Sequence, residues 1–306
     1  MENKDFKALV DLAMQMPGRQ AMRPVVEKEI LHYDIFAALE KERLLTNLVF
    51  QGGTSLRLCW QSNRFSEDLD FAGGRDFNSE HMKAIKETIE DHIGKRYGLA
   101  VHVKEPKKSE DDLKQGLIRV DKWQVSVETA PGNRALPQQR IKLEIANVPA
   151  YTQELRPILQ NYDFLAGYSS NILVRVETLD EVMADKILAF PASGTHIRYR
   201  DIWDLAFLTQ KKANLNPELV LRKIADYGTP NYEDALSLTI QNLPAIIRSK
   251  EFQDQMKRFI DADTLAKTLE QPNFLNYLEK TVVGLFEDMA EAISDEPQDP
   301  EPEFRM

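Results

Sequence analysis

The sequence predicts an α/β fold class, with an α/β front half up to about residue 177 and an all-helical back half. Three observations carry this expectation. An apolar run at 47–51, "NLVFQ", ends in the pair Gly52-Gly53 and leads into a stretch that suits a helix. Between 67 and 177, several segments alternate apolar and polar residues with the period of two that marks strands. From Thr178 onward the apolar residues recur at helical spacing.

In order along the chain, 23–44 places Val26, Ile30, Ile35, Ala38 and Leu39 near helical spacing with charges between them. The run 47–51 reads as a short buried strand, Gly52-Gly53 as a turn, and "TSLRLCWQ" as a helix starting near Gly53 or Thr54. "DLDFA" (68–72) alternates as a strand. Residues 78–96 predict one helix capped by Asn78 or Ser79. Strands are expected at 99–105, 116–123, 124–130, 140–148 and 171–177, with Glu144 on the alternation of the fourth. The domain expectation is therefore an α/β unit over 1–177 and a helical unit over 178–293. A disordered acidic tail over 294–306 completes it, holding five acids, one base and three prolines.

Composition narrows the class. Apolar residues are 42% and charged residues 29%, ordinary for a soluble globular chain. No apolar run approaches the ~20 residues of a membrane span, and the N-terminus lacks a signal-peptide layout. The single cysteine, Cys59, forbids an internal disulfide and a multi-cysteine zinc site, so a cytoplasmic protein is expected. The net charge of −10 argues mildly against a broad nucleic-acid-coating surface, although a local basic groove stays open because about four of those units fall in the tail. His32, His81, His92, His102 and His196 are scattered without metal-ligand spacing. Cys59, beside Leu56, Leu58 and Trp60, reads as core rather than nucleophile.

The chemistry concentrates at 48–74. Residues two apart on a strand share a face, so Asp68 and Asp70 are expected side by side. Two carboxylates that close repel unless a cation neutralises them. Hard divalent cations such as Mg²⁺ take carboxylate and phosphate oxygens, commonly with one or two protein carboxylates per ion. The glycine pair offers unobstructed backbone N–H groups beside a helix N-terminus, which favours anions. A phosphate cradle next to a metal-binding aspartate pair is what nucleotidyl or phosphoryl transfer requires. Ser66, on the same expected face, can donate a hydroxyl to a phosphate. Each piece alone has a plainer reading, since alternating acids mark solvated faces and Gly-Gly often only turns the chain. Their joint order is much more specific.

With those residues in view, "GGTSL" followed by "RFSEDLDF" resembles the signature of the AbiEii/AbiGii-type nucleotidyltransferase toxins, within the polymerase-β-like nucleotidyltransferase superfamily. "EVMADKILAF", with Lys186 in a K-x-x-A, and "RYRDIWDL", similar to R-D-x-x-D-L, follow in the family's order. The resemblance covers roughly residues 25–210. It implies a polymerase-β-like core with a mixed sheet, followed by a helical C-terminal domain. By that resemblance, Gly52, Gly53 and Thr54 hold a nucleoside triphosphate, with Ser66 alongside. Asp68 and Asp70 bind Mg²⁺, and Glu144 is the third carboxylate. Lys186 contacts phosphate, and one of Asp201 and Asp204 enters the site, Asp201 being favoured.

The function expected is Mg²⁺-dependent transfer of a nucleotide from an NTP to an acceptor, with pyrophosphate leaving. The resemblance implies a toxin of a toxin–antitoxin or phage-defence (abortive infection) system with a cognate antitoxin, acting on RNA at the tRNA 3′ end. Arg134, Arg140, Lys142, Arg175, Arg198 and Arg200 are candidates for RNA phosphates. Rival readings keep the chemistry but change the acceptor to a protein side chain or an antibiotic, or leave a non-catalytic nucleotide-binding module.

Overall fold

The computed structural model describes residues 5–107, 118–132, 137–166, 168 and 172–295. Arg134, most of the expected tail, and Gly116 and Leu117 of the expected strand at 116–123 lie outside the described residues. Helices α1 (Phe6–Met14) and α2 (Arg23–Lys41) open the chain. Then follow β1 (Val49–Gln51), α3 (Gly52–Trp60), β2 (Leu69–Ala72), α4 (Ile85–Tyr97), β3 (Val101–Lys104), β4 (Val120–Val127), β5 (Gln139–Ala146), β6 (Gln153–Pro157) and β7 (Leu173–Glu177).

These strands form one mixed sheet in the order β3-β4-β5-β2-β1-β7-β6. β1 runs antiparallel to β2 and parallel to β7, while β2 runs parallel to β5. Period-two alternation gives the sheet two chemically different faces. Phe50, Leu69, Phe71, Leu143, Ile145, Val174 and Val176 join α1, α2 and α4 in the larger core. The opposite face carries Asp70 and Glu144, which are register partners, and a small cluster of Val49, Ala72, Ala146 and Val148.

Helix α2 is buried on more than one face, which its charges had disguised. Glu29 receives Arg57 Nε at 2.7 Å and Nη2 at 3.1 Å. Asp34 accepts from Tyr97 Oη at 2.8 Å and Tyr168 Oη at 2.7 Å, so its buried carboxylate is satisfied.

Three expectations need correction. The strands at 116–123 and 124–130 are one, β4, because its pairing with β5 runs unbroken from Val120 to Val127. The helix expected over 78–96 is a 3-10 turn at Ser79–Met82 followed by α4, with Asn78 capping only the turn by accepting from Glu80 N at 2.9 Å. β6 carried no strand signal, since it is an edge strand with a mostly exposed burial pattern and pairs only with β7.

The back half is helical: α5 (Leu179–Ala192), α6 (Tyr199–Gln210), α7 (Pro217–Tyr227), α8 (Tyr232–Arg248), α9 (Lys250–Met256), α10 (Ala262–Lys267) and α11 (Pro272–Ser294). They enclose a second core that also takes Leu56 from α3, while Phe259 from the helical part joins the first. Among the described residues, no helix is long and apolar enough to cross a membrane.

Candidate active site

The glycine pair is part of helix α3 rather than a turn before it: α3 begins at Gly52, directly after the extended Gln51. Gly52 has φ +76°, and a Cβ there would lie 2.9 Å from Asp70 Oδ2. A Cβ on Gly53 would lie 2.3 Å from Arg64 Nη2 and 3.2 Å from Ser66 Oγ. The pair therefore lets the helix start approach the acidic strand, with glycine required at Gly52 by backbone and contact alike. No side chain caps the first turn of α3, which leaves its N–H groups available to an anion. Thr54 is buried, and its hydroxyl donates to the carbonyl of Asp68, tying α3 to the chain entering β2.

Asp68 precedes β2; its Oδ1 accepts from the Lys142 N–H at 3.0 Å, and Lys142 Nζ lies 3.9 Å from Oδ2. Asp70, within β2, is flanked in register by Gln51 on β1 and Glu144 on β5. Glu144 has Lys122 Nζ at 3.3 Å. Burial first, then the charges of Glu144 and Asp68, push the Asp70 carboxyl up to about 7, against the opposing pull of Arg198 and Lys186. Among the described residues, no three or more His, Cys, Asp or Glu side chains form a ready-made metal cluster. A hard cation that completes its shell with substrate phosphates needs only one or two carboxylates. The crowded, mutually repelling oxygens of Asp68, Asp70 and Glu144 fit that demand.

Lys186 on α5 is buried, and its ammonium sits 2.8 Å from Asp201 Oδ1 and 2.7 Å from Asp204 Oδ2. Asp204 also takes a two-pronged contact from Arg64, Nε to Oδ1 at 2.8 Å and Nη2 to Oδ2 at 2.7 Å. Asp201 accepts from Arg198 Nε as well. Burial alone would raise both acids, yet Lys186 and Arg198 hold Asp201, and Arg64 and Lys186 hold Asp204, below the usual carboxylate range. Both acids thus stand behind Lys186 and fix its position.

A cleft of about 460 Å³ joins these parts, walled by Gln51, Gly52, Asp70, Glu144, Lys186 and Arg198 among others. Gly53, Thr54, Ser66, Asp68, Asp201 and Asp204 are not among its walls. Ser66 is buried, with its hydroxyl beside Gly53 at the start of α3. Of the candidate RNA contacts, Arg198 lines this cleft and Arg200 a neighbouring one, while Arg140, Lys142 and Arg175 are exposed on β5 and β7. Cys59 is buried, with its thiol pushed up by burial to about 12, as a core residue would be. Arg64 is the residue that sequence reasoning missed. It stands inside the quoted "RFSEDLDF", but its partner lies 140 positions away, and no local spacing announces that pair.

The sequence matches the family described as "Nucleotidyl transferase AbiEii toxin, Type IV TA system" over residues 34–280, which reaches past residue 210, where legible motifs end. No curated protein matches it significantly. Among solved structures it is similar to MenT4, a nucleotidyltransferase toxin from Mycobacterium tuberculosis H37Rv. The identity is 18%, the TM-score 0.61, and 94% of each chain is covered. That likeness shows a shared fold, a mixed α/β sheet with helices as in that toxin. JHP933 from Helicobacter pylori is 22% identical over 88% of this chain and 91% of its own, with a TM-score of 0.42, too low to carry an argument. A family match spanning most of the chain, joined to this fold, leaves one conclusion: the chain belongs to the AbiEii nucleotidyl transferase toxin family of type IV toxin–antitoxin systems.

Proposed function

We propose that this protein is a Mg²⁺-dependent nucleotidyltransferase toxin that transfers NMP from an NTP to an RNA acceptor, the 3′ end of tRNA, and so blocks translation. The observation that carries this reading is the cleft where Gly52, Asp70, Glu144, Lys186 and Arg198 meet. In it a helix start free of side-chain caps faces crowded carboxylates and two cations.

The acceptor hydroxyl attacks the α-phosphorus in line, and pyrophosphate leaves. Asp68 and Asp70, with Glu144 beside them, would hold Mg²⁺, which when bound supplies charge neutralisation at the transferred and departing phosphates. Glu144 receives the proton of the acceptor hydroxyl. The first N–H groups of α3, at Gly52 and Gly53, hold the triphosphate together with Lys186. Two of the three ammonium donors of Lys186 are spent on Asp201 and Asp204, leaving the third for phosphate. Arg198 adds a second cation at the cleft wall. Thr54 ties α3 to the chain entering β2 through its bond to the Asp68 carbonyl, and Ser66 stands beside Gly53 at the triphosphate end of the site. Residues 1–177 form the transferase unit, 178–293 the helical unit that supplies Lys186, and a cognate antitoxin restrains the toxin in phage defence within the cytoplasm.

Purified protein incubated with total tRNA, Mg²⁺ and each radiolabelled NTP in turn tests the reading, beside an Asp68→Ala/Asp70→Ala control. Label in tRNA from the intact chain alone supports it and names the base. Label on protein or on a small molecule moves the acceptor, and no label in any fraction removes the enzyme reading.

A further inference from the structure

A second cleft of about 470 Å³ lies beside the first. The two share Arg198, and Asp201 in the second is bonded to Lys186 in the first. Its walls include Arg198, Arg200, Arg258 and the exposed His196. The acids in those walls, Glu67 and Asp201, are already engaged. Lys28 reaches Glu67 at 2.6 Å and Arg200 reaches it at 3.5 Å, while Lys186 and Arg198 both contact Asp201.

Arg258 forms no ion pair within 4.0 Å among the described residues; its guanidinium lies 5.6 Å from the centroid of the buried Phe259 ring. Arg200 lies over the same ring at 4.9 Å. One ring thus supports two guanidinium groups, with unused donors turned to an open cleft, in a chain whose net charge is −10. Guanidinium groups bind phosphate oxygens through paired donors, and stacking on an aromatic ring lowers the entropy lost in doing so.

We propose that this second cleft is the track for the single-stranded 3′ end of a polynucleotide acceptor, an inference that rests on the nucleotidyl-transfer reading of the first cleft. A polynucleotide carries its reacting hydroxyl at the terminus and a phosphate at every nucleotide behind it. A row of cations leading up to the reacting centre suits that geometry. An isolated hydroxyl on a protein side chain would need no such row. Arg200 and Arg258 grip the phosphates behind the terminus, and Arg198, common to both clefts, stands where the strand passes into the first.

The test is fluorescence anisotropy with a 5′-labelled, mixed-sequence single-stranded oligoribonucleotide bearing a free 3′ hydroxyl. Affinity is measured across a salt series for the intact chain, Arg258→Glu and Arg200→Ala, with binding of a fluorescent NTP analogue followed in parallel. Arg258→Glu is expected to weaken the oligonucleotide at least about tenfold and to flatten its salt dependence by about one phosphate contact, ~0.7 in slope. NTP-analogue binding stays unchanged. Because Arg258 is exposed, its replacement leaves the fold intact, and Arg200→Ala gives a second, independent reading of the same cleft. Unchanged oligonucleotide affinity and slope in both variants overturn the track while the transfer reading stands. Failure of the intact chain to bind the NTP analogue at all overturns both readings.

Discussion

Replacing Arg64 by alanine isolates the buried Arg64–Asp204 pair, which no local spacing announces. Arg64 and Asp204 have side chains only 2% and 0% exposed and meet through two bonds of 2.7–2.8 Å. With Arg64 gone, Asp204 keeps, among the described residues, the one cation Lys186, which also serves Asp201. Removing one partner of a buried pair costs about 3–5 kcal/mol, because the other charge stays buried. An exposed pair costs roughly 0–1 kcal/mol. Urea denaturation at constant m-value separates these outcomes. Gly53→Ala supplies the second axis of the cycle, since its new Cβ would fall 2.3 Å from Arg64 Nη2. On its own it costs about 1–3 kcal/mol as overpacking, and most of that cost disappears in the Arg64→Ala background. A loss below about 1 kcal/mol for Arg64→Ala, or an equal Gly53→Ala penalty in both backgrounds, refutes the reasoning.

Asp70→Asn should cut label incorporation by more than about 100-fold, beyond what losing an outer-shell partner does, with the urea midpoint unchanged or raised as charge repulsion is relieved. Gly52→Ala should be worse than Gly53→Ala for nucleotide binding, because it strains a φ of +76° and pushes on Asp70 itself; equal dissociation constants for a fluorescent NTP analogue would count against the close-approach explanation. The Asp70 carboxyl is raised from 3.8 to about 7, so the folded state holds its proton longer than the unfolded chain. The resulting stabilisation is complete below about pH 4 and is lost as pH rises towards 7. Metal-free unfolding curves should show a downward component over that range that Asp70→Asn removes and added Mg²⁺ opposes; identical pH profiles for the two proteins would exclude it.

The sequence by itself determined the α/β front, the helical back and the family motif at 52–71. Period-two alternation at 68–72 and 140–148 and the glycine pair after an apolar strand are local signals, and local signals survive in a single chain. It also marked Glu144 as a strand residue with its side chain opposite to Ile145, and the sheet then made it the direct neighbour of Asp70. What only tertiary structure decided was which groups meet. Strand order put β5 beside β2, although almost seventy positions separate them. Packing of α6 against α5 turned Asp201 and Asp204 from expected site carboxylates into the seat of Lys186. Arg64 found Asp204, and Arg200 found the ring of Phe259 at the edge of the second cleft. A charged residue declares its charge wherever it stands, but burial and partner set what that charge does, and both are products of the closed fold.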